Sequence, residues 1–435
     1  MTTRVVAVRG DLSLLDERAK RILFNRTSAD NPAVREQTRR IIARVRAERD
    51  AALFAMAEEF DGVALGELEV PRRQWDAALS SLAPELRRSL ERAVANVRQV
   101  HEAFRPISRE VMTADGVVIG RRADPLGRVG IYAPGGRATY PSSLIMGVVP
   151  ARVAGVGELI VCSPPGADGR PGRVLMAAAK LAGADRLFAV GGAGAIAAMA
   201  FGTESIPTVD RIVGPGNAYV AEAKAQVASV TAIDSPAGPS ELLIIADGAS
   251  SPVQLARELL AQAEHDPMAA VVLVAASRPL LGAVEEALGE RLAQEPRRGV
   301  IAEALAARGA LLFAETLDEA VAFANAWAPE HLMIATEAPD ALLPAVRNAG
   351  TVFVGATASV VFGDYMSGAN HVLPTGGLCR AYSGLSTADF YRWTTWQRID
   401  RAAAARLACD VGVFAEAEGL PAHAAAARQW MEPAV

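Results

Sequence analysis

The hydrophobic residues of this chain follow two different spacings. Within the first hundred residues, the segment 31–60 places apolar residues three and four positions apart, which predicts helices. Asn31 directly before Pro32 is typical of a helix start, because asparagine caps the first turn and proline fits its first position. We therefore expect the amino-terminal part of the chain to be largely helical.

After Gly120 the pattern changes to short aliphatic and β-branched runs, and the early ones end in Gly or Pro. A first series contains "GRVGIYAP", "ELIVCSPP", "RLFAVGG" and "RIVGPG", with alanine-rich helical segments between the runs. A second series follows Ser240 and contains "SELLIIAD", "AAVVLVAAS", "ALLFAE", "HLMIAT" and "TVFVGA". Strands alternating with helices are typical of parallel sheets, so two α/β lobes are predicted. Beyond Ser386 the strand pattern stops, and we expect a helical unit.

Composition and charge narrow the class of protein. The chain has 435 residues, 51 % hydrophobic and 21 % charged, which indicates a globular protein of two to four domains. A net charge of −5 argues against a general role on nucleic acids or acidic membranes. The start of the sequence lacks a signal-peptide core, and the apolar runs are too short to cross a membrane. Cys162, Cys379 and Cys409 are far apart in the sequence, so we expect a soluble cytoplasmic protein without disulfides.

The stretch "LLAQAEHDP" carries polar residues at positions where a helix would place apolar ones. The predicted helix starts at Ser251 and stops before Pro267. Gln262 continues the leucine stripe of this helix, and His265 lies one turn further on. Such a break in the pattern is typical of a functional site, but a hydrogen-bonded, half-exposed helix end would look the same. The stretch alone leaves both interpretations open.

Three further histidines have a carboxylate close by in the sequence. They form the pairs Glu330–His331, Asp364–His371 and Glu418–His423. Imidazole nitrogen and carboxylate oxygen are suitable ligands for a cation such as Zn²⁺. A histidine that binds no metal could instead serve as a catalytic base. The spacing indicates a His/Asp/Glu site without revealing which of these residues converge.

A glycine-rich segment offers a second motif. "FAVGGAGAIAA" contains Gly192-x-Gly194-x-x-Ala197 after a predicted strand, which has the form of a dinucleotide-binding fingerprint. Asp210 stands roughly twenty residues on, near where a ribose-binding acid would be expected. The alternative is a tight strand-to-helix turn that binds no phosphate. The pattern by itself does not decide between them.

Taken together, seven motifs occur in an order and spacing that resemble the histidinol dehydrogenase family. They are "GRVGIYAPGG", "GPGNAYVAEAK", "PAGPSE", "QAEH", "APEHL", "GDYMSGANHVLPT" and "EGLPAH". The resemblance covers essentially the whole chain and is strongest from Gly127 to Thr375. It implies oxidation of L-histidinol to L-histidine, the last step of histidine biosynthesis, with zinc bound and two NAD molecules reduced. It also implies a homodimer with intertwined subunits, and the net charge noted above predicts no nucleic-acid or membrane partner.

The resemblance further implies roles for individual residues. His331 would be the general base, and Glu330 would activate the water that attacks the aldehyde. This adjacent pair is expected at a turn or at the start of a strand, because neighbouring residues of a strand point to opposite faces. The implied zinc ligands are Gln262, His265, Asp364 and His423.

The remaining implied contacts concern the substrate and the cofactor. Glu418 and His423 would complete the active site of the partner subunit. The implied substrate-binding residues are Ser240, Gln262, His265, His331, Asp364, His371, Glu418 and His423. Those implied to contact NAD are Tyr132, Gly194 and Asn217.

Two positions depart from the family pattern. Gly194 stands where the family commonly has glutamine, so the effect on NAD binding is open. Because family members do not bind NAD through the glycine fingerprint in the usual way, the resemblance favours a plain turn at Gly192. The segment 355–365, "GATASVVFGDY", lacks a Pro-Glu pair that would be expected before Gly-Asp.

The predicted architecture is two incomplete Rossmann-like α/β lobes, non-standard in their NAD binding, with small helical segments at both ends. A related zinc/NAD dehydrogenase acting on another small amino or hydroxy compound is one alternative function. A non-catalytic zinc-binding scaffold is another, which the pair Glu330–His331 argues against. The predicted parts are an amino-terminal segment 1–25, a zinc and catalytic domain 26–130 with 242–384, an NAD-contacting domain 131–241, and a carboxyl-terminal helical unit 385–435.

Overall fold

The computed structural model describes residues 5–26, 31–135 and 140–431. It divides into two compact units, of which the first comprises Met1–Phe104 and Gly127–Phe390 and the second Arg105–Leu126 and Tyr391–Val435. The predicted α/β class with parallel sheets is confirmed. The division of the chain into four parts stays a prediction.

In chain order, the strands are β1 (Val8–Asp11), β2 (Arg109–Ala114), β3 (Val117–Pro125), β4 (Arg128–Tyr132), β5 (Glu158–Ser163), β6 (Arg186–Ala189), β7 (Arg211–Val213), β8 (Ala232–Ile233), β9 (Glu241–Ala246), β10 (Ala270–Ala275), β11 (Gly309–Phe313), β12 (His331–Ala335), β13 (Thr351–Val354) and β14 (Tyr391–Ile399).

In the same order, the α-helices are α1 (Glu17–Phe24), α2 (Pro32–Glu48), α3 (Asp50–Met56), α4 (Arg72–Ser80), α5 (Pro84–Ala103), α6 (Pro141–Ala154), α7 (Arg173–Ala182), α8 (Gly192–Phe201), α9 (Ala218–Val227), α10 (Pro252–Ala263), α11 (Arg278–Leu292), α12 (Arg298–Arg308), α13 (Leu317–Trp327), α14 (Pro339–Leu342), α15 (Val360–Tyr365), α16 (Arg401–Ala417) and α17 (Pro421–Arg428). A π-helical turn, Ala57–Asp61, continues α3.

Two parallel sheets of the first unit share one pattern of strand order. The five-stranded sheet runs β6-β5-β4-β7-β8, and the six-stranded sheet runs β1-β11-β10-β9-β12-β13, with β1 added at one edge. In each sheet the strands that follow the central strand, β4 or β9, are first added on one side of it. The later strands, beginning with β7 or β12, are added on its other side. The order therefore reverses between β4 and β7 and between β9 and β12. In open α/β sheets such a switch point marks a crevice at the carboxyl ends of the strands, where ligands bind.

The central strands are apolar because helices cover both of their faces. In β9, Leu242 and Ile244 belong to a core cluster with leucines of α10 and α11. The alternate residues Leu243 and Ile245 belong to a second cluster with aromatic residues of α13. Burial on both faces explains why these strands appear as continuous hydrophobic runs.

Two helix starts lie where the sequence predicts them. Asn31 caps α2, and its side chain accepts hydrogen bonds from the backbone N–H groups of Ala33 and Val34. Ser251 caps α10 in the same way, with Pro252 as its first residue. Both predictions are confirmed.

The second unit contains a three-stranded antiparallel sheet, β14-β3-β2, together with α16 and α17. The prediction that strands stop beyond Ser386 is wrong, because β14 pairs with β3 along its whole length. This strand, "YRWTTWQRI", is mostly polar and lacks an apolar run, so periodicity did not reveal it. Gly120 of β3 makes room for the Trp396 ring, which a Cβ at this position would overlap. No helix in the described ranges is long and apolar enough to cross a membrane.

Candidate active site

His331 is the first residue of β12, and the start of β9 holds its imidazole. The Nδ1 atom lies 2.9 Å from the carbonyl oxygen of Glu241 and 3.4 Å from Oε2 of Glu330. The other ring nitrogen, Nε2, lies 3.9 Å from Oδ1 of Asp364. Nδ1–H can therefore donate to the backbone while Nε2 remains the reactive nitrogen. The prediction that Glu330–His331 sits at a strand start is confirmed.

Two opposing effects set the pKa of His331. Burial by itself would lower the pKa, because it disfavours the imidazolium ion. The carboxylates of Glu330 and Asp364 and the carbonyl of Glu241 outweigh burial and raise the pKa to about 9. The imidazole is therefore a stronger base than an ordinary histidine.

Glu330 is buried, with 5 % of its surface exposed. Its Oε2 atom accepts a hydrogen bond of 2.7 Å from the backbone N–H of Glu241. Its Oε1 atom has no hydrogen-bond donor among the described residues. One oxygen thus fixes the carboxylate, and the other is free to bind water or substrate.

Asp364 and His371 adjoin this pair. Asp364 lies on the short helix α15, and its backbone carbonyl is 2.9 Å from Nδ1 of His371. Nε2 of His371 lies 3.3 Å from Oγ of Ser143, a residue of α6. Burial lowers the pKa of His371, which the charge of Asp364 partly offsets, so this imidazole tends to stay neutral. The structure therefore brings Glu330, His331, Asp364 and His371 together.

Gln262 lies in the last turn of α10, which runs back from the carboxyl end of β9 to the amino end of β10. This course carries it to the sheet edge at which β9 and β12 begin. Its side chain is 3 % exposed and has no hydrogen-bond partner among the described residues. Glu258 accepts a 3.1 Å hydrogen bond from the backbone N–H of Val360, which ties α10 to α15 one turn before Gln262 and Asp364.

The prediction that His265 continues the helical stripe of Gln262 is wrong. The helix ends at Ala263, and Glu264 forms its carboxyl-terminal cap. His265 lies in the bend that follows, with its backbone N–H 3.4 Å from the Gln262 carbonyl oxygen. If Gln262 and His265 bind the same ligand, the bend at His265 brings their side chains together, because the two residues do not share a helical face.

Ser240 comes immediately before β9, so it stands at the same edge of the six-stranded sheet as His331.

Glu418 and His423 belong to the second unit, where Glu418 caps α16 and His423 lies in the first turn of α17. Both of these side chains are exposed. Within the described ranges, no three His, Cys, Asp or Glu side chains converge closely enough to hold a metal ion.

A separate cleft of about 430 Å³ opens at the carboxyl edge of the five-stranded sheet. Tyr132, Gly194 and Asn217 all line it. Asn217 caps α9 by accepting hydrogen bonds from two backbone N–H groups, so its amide NH₂ is the part left for a ligand. The Tyr132 hydroxyl accepts a 3.1 Å hydrogen bond from the backbone N–H of Gly192, and burial raises its pKa to about 12. Gly136, the last residue of the "YAPGG" turn, lies outside the described residues.

Backbone conformation accounts for the glycine at the turn, because Gly192 has a left-handed φ of +61°. A Cβ on Gly194 would lie 3.2 Å from Sδ of Met56, the flexible end of a side chain, so packing disfavours a larger residue there only mildly. The turn follows β6, an edge strand, and not β4 at the switch point. Asp210 accepts a 2.9 Å hydrogen bond from the backbone N–H of Arg128 at the opposite, amino edge of the sheet. Asp210 is therefore not placed to bind a ribose in the cleft, in agreement with the interpretation of this segment as a plain turn.

Glu241 is a component of the site that the sequence analysis missed. Its backbone anchors both Glu330 and His331, and its buried carboxylate forms a 2.5 Å ion pair with Arg26. Burial raises the pKa of Glu241 to about 7, although the charge of Arg26 lowers it in part. The guanidinium of Arg26 also stacks on the Trp327 ring at 3.7 Å. The only sequence signal was an acidic residue at the start of an apolar strand.

Comparisons with known proteins agree with these motifs. The family model for histidinol dehydrogenase matches residues 24–431. A histidinol dehydrogenase from Methanosarcina barkeri is 46 % identical over 389 residues, which cover 89 % of this chain and 90 % of that protein. One from Chromobacterium violaceum is 44 % identical over 420 residues and 96 % of each chain. The crystal structure of histidinol dehydrogenase from Elizabethkingia anophelis matches with a TM-score of 0.94 and 31 % identity over 99 % of each chain.

Proposed function

Because the chain belongs to the histidinol dehydrogenase family, we propose that it oxidises L-histidinol through L-histidinal to L-histidine with NAD as the electron acceptor. The main support is the orientation of His331, whose Nδ1 is bound to a backbone carbonyl while Nε2 points toward Asp364. A base held in this way has its reactive nitrogen fixed before the substrate arrives.

His331 and Glu330 divide the proton transfers between them. In the first oxidation, Nε2 of His331 takes the proton of the alcohol O–H as the neighbouring C–H leaves as hydride. NAD, when bound, accepts that hydride. Before the second oxidation, the free Oε1 of Glu330 takes a proton from the water that adds to the aldehyde carbon. His331 releases its first proton to solvent and then takes a proton from the hydrate as the remaining C–H leaves as hydride, which leaves the carboxylate.

Zinc fits the donors on the first unit. Gln262, His265 and Asp364 offer an amide oxygen, an imidazole nitrogen and a carboxylate oxygen. The Gln262 side chain has no hydrogen-bond partner among the described residues, so its amide oxygen is available as a metal ligand. Zinc, when bound, supplies a template that orients the substrate. His331 stays free of metal and available for proton transfer.

A second copy of the chain would supply the fourth metal ligand. We assign that role to His423, with Glu418 as a substrate contact, so that each active site of a homodimer contains residues from both subunits. The exposure of both side chains supports this assignment, because they are accessible to a partner. Ser240 and His371 complete the set of substrate contacts.

The cleft at the five-stranded sheet is the proposed NAD site. The amino termini of α8 and α9 both line it, and the partial positive charge there suits a pyrophosphate. Tyr132 and Asn217 add a hydroxyl and an amide, whereas Gly194 adds no side chain. We expect the cofactor to lie between these helix ends and the opposite wall formed by α2, α3 and the π-helical turn.

The test is the stoichiometry of the reaction. Purified, zinc-loaded protein should form two NADH for each histidinol consumed, and the product should be histidine. A yield of one NADH, or no turnover, would contradict the proposal. Turnover of another small amino or hydroxy compound in preference to histidinol would instead identify a related dehydrogenase.

A further inference from the structure

Asp61 is the single charged side chain among the described residues that line the NAD cleft. It ends the π-helical turn after α3, and such turns are often found at functional sites. Next to it along the same wall are apolar side chains, among them Ile41, Met56 and Phe60. Asp61 is itself exposed, so its carboxylate is accessible to a ligand in the cleft.

The Asp61 carboxylate has no partner in the described ranges. Among these residues, no cation lies within ion-pair distance of Asp61 and no hydrogen-bond donor reaches it. The side chain is exposed, but the neighbouring apolar wall removes part of its hydration and raises the pKa of Asp61 above the usual value. Burial of Tyr132, and to a smaller extent the charge of Asp61, raise the pKa of the Tyr132 hydroxyl, so the two side chains share the same cleft. The carboxylate is therefore available to a ligand that brings its own donors.

The polarity of the cleft indicates which part of the cofactor meets Asp61. The ends of α8 and α9 suit the pyrophosphate, which leaves a nucleoside for the wall of α2, α3 and Phe60. On the Gly135 side the chain continues to α6, whose Ser143 contacts His371 of the catalytic cluster. The nicotinamide end is expected on that side, so the adenosine end faces Asp61.

We propose that Asp61 accepts hydrogen bonds from the 2′- and 3′-hydroxyls of the adenosine ribose and thereby selects NAD over NADP. A carboxylate at this place binds a ribose diol, whereas the 2′-phosphate of NADP would set one anion against another. Asp61 takes the role that the sequence pattern suggested for Asp210. This inference rests on the proposed function, because it assumes that the cleft holds NAD.

Binding of two ligands that lack the nicotinamide ring tests the inference without catalysis. ADP-ribose and 2′-phospho-ADP-ribose should be titrated calorimetrically into the full-length protein. The unaltered protein should prefer ADP-ribose, and Asp61→Asn should narrow the ratio of the two dissociation constants by about tenfold or more, as expected for loss of a charged hydrogen-bond acceptor. Asp61→Ser provides a second variant should the first fold poorly.

Glu58→Gln is the matched control. Glu58 lies on the same π-helical turn, is exposed and does not line the cleft, so this variant removes the same charge without touching the ligand. An unaltered protein that binds both ligands equally would overturn the inference. The same holds for Asp61 variants that keep the original ratio. In either case normal NADH formation from histidinol would leave the proposed function intact, whereas absence of turnover in the unaltered protein would contradict that function itself.

Discussion

The carbonyl oxygen of Glu241 lies 2.9 Å from Nδ1 of His331, so a neighbouring strand orients the proposed base through its backbone. The backbone N–H of the same residue binds Glu330. Both reactive side chains are thus fixed by one peptide segment, and substitutions of Glu241 leave these two contacts chemically available. Effects of the Glu241 side chain can therefore be separated from effects on the base.

The base and a metal ligand should respond differently to the same substitution. His331→Asn should lower kcat by about 100- to 10,000-fold, the usual contribution of a general base, and leave zinc bound. His265→Asn should lose zinc, because it removes the imidazole proposed as a ligand. Metal content after dialysis and steady-state kinetics distinguish the two. If both variants lose zinc, or both keep it, the separation of base from ligand is wrong.

The pKa of His331 predicts the pH profile. A base must be deprotonated to act, so kcat/KM should increase as the pH rises toward about 9. Glu330 is one of the groups that raise this pKa, so in Glu330→Gln the rising limb of the residual activity should shift to lower pH. Glu337→Gln, which removes an exposed carboxylate just beyond the other end of β12, is the comparison variant and should leave the limb in place. If the rising limb of the pH profile stayed in place or moved to higher pH in Glu330→Gln, the charge of Glu330 would not be what raises the pKa of His331.

The buried ion pair of Arg26 and Glu241 should matter for stability. Above pH 7, where the Glu241 carboxyl is ionised, Glu241→Gln leaves a buried guanidinium without its counter-ion, which should lower the free energy of unfolding by about 3–5 kcal/mol. Urea denaturation measures this loss. Asp11→Asn is the control, because Asp11 pairs with Arg278 in an exposed position on the same sheet, and its loss should change little. If the two variants lost equal amounts of unfolding free energy, the burial of an ion pair would not determine how much its removal destabilises the protein.

A second buried pair, Lys224 and Asp234, stabilises a loop beside the proposed NAD cleft. Lys224 donates hydrogen bonds to the carbonyl oxygens of Gly214 and Ser235, and Asp234 accepts one from the N–H of Gly214. A Cβ on Gly214 would overlap the Tyr132 carbonyl oxygen, so this loop fits tightly against the end of β4.

Lys224→Met should therefore weaken NAD binding while zinc content stays the same. Calorimetric titration of NAD and metal analysis check both parts. Lys180→Met, which breaks an exposed pair with Asp76, is the control and should bind NAD normally. Unchanged NAD affinity in Lys224→Met would mean that the loop keeps its shape without the pair.

Local chemistry made part of this structure predictable. The caps at Asn31 and Ser251 and the apolar parallel strands follow from short segments whose preferences agree with the fold. Features that depend on distant partners were missed. The strand β14 is defined by its pairing with β3, and Glu241 became part of the site only because β9 lies beside β12.

In the candidate site, too, some residues could be predicted from the sequence and others depended on distant parts of the chain. Motif order brought Glu330, His331, Asp364 and His371 into consideration, and the structure places them together. The helical position of His265 failed because the chain leaves α10 at Ala263, four residues before the proline that was expected to stop it. Asp61 could not be identified from the glycine motif, since it reaches the cleft from a helix far upstream in the chain.

The pairing of β3 with β14 has a consequence for the synthesis of this protein. The second unit is assembled from 105–126 and 391–435, which are separated by most of the first unit. A chain emerging from the ribosome presents β2 and β3 long before β14 exists, so one edge of β3 is left without its partner during translation. Chains are made from the amino terminus onward, and non-local pairing is slow. Completion of the unit that carries His423 is therefore expected only after β14 has been synthesised, later than the sheets of the first unit.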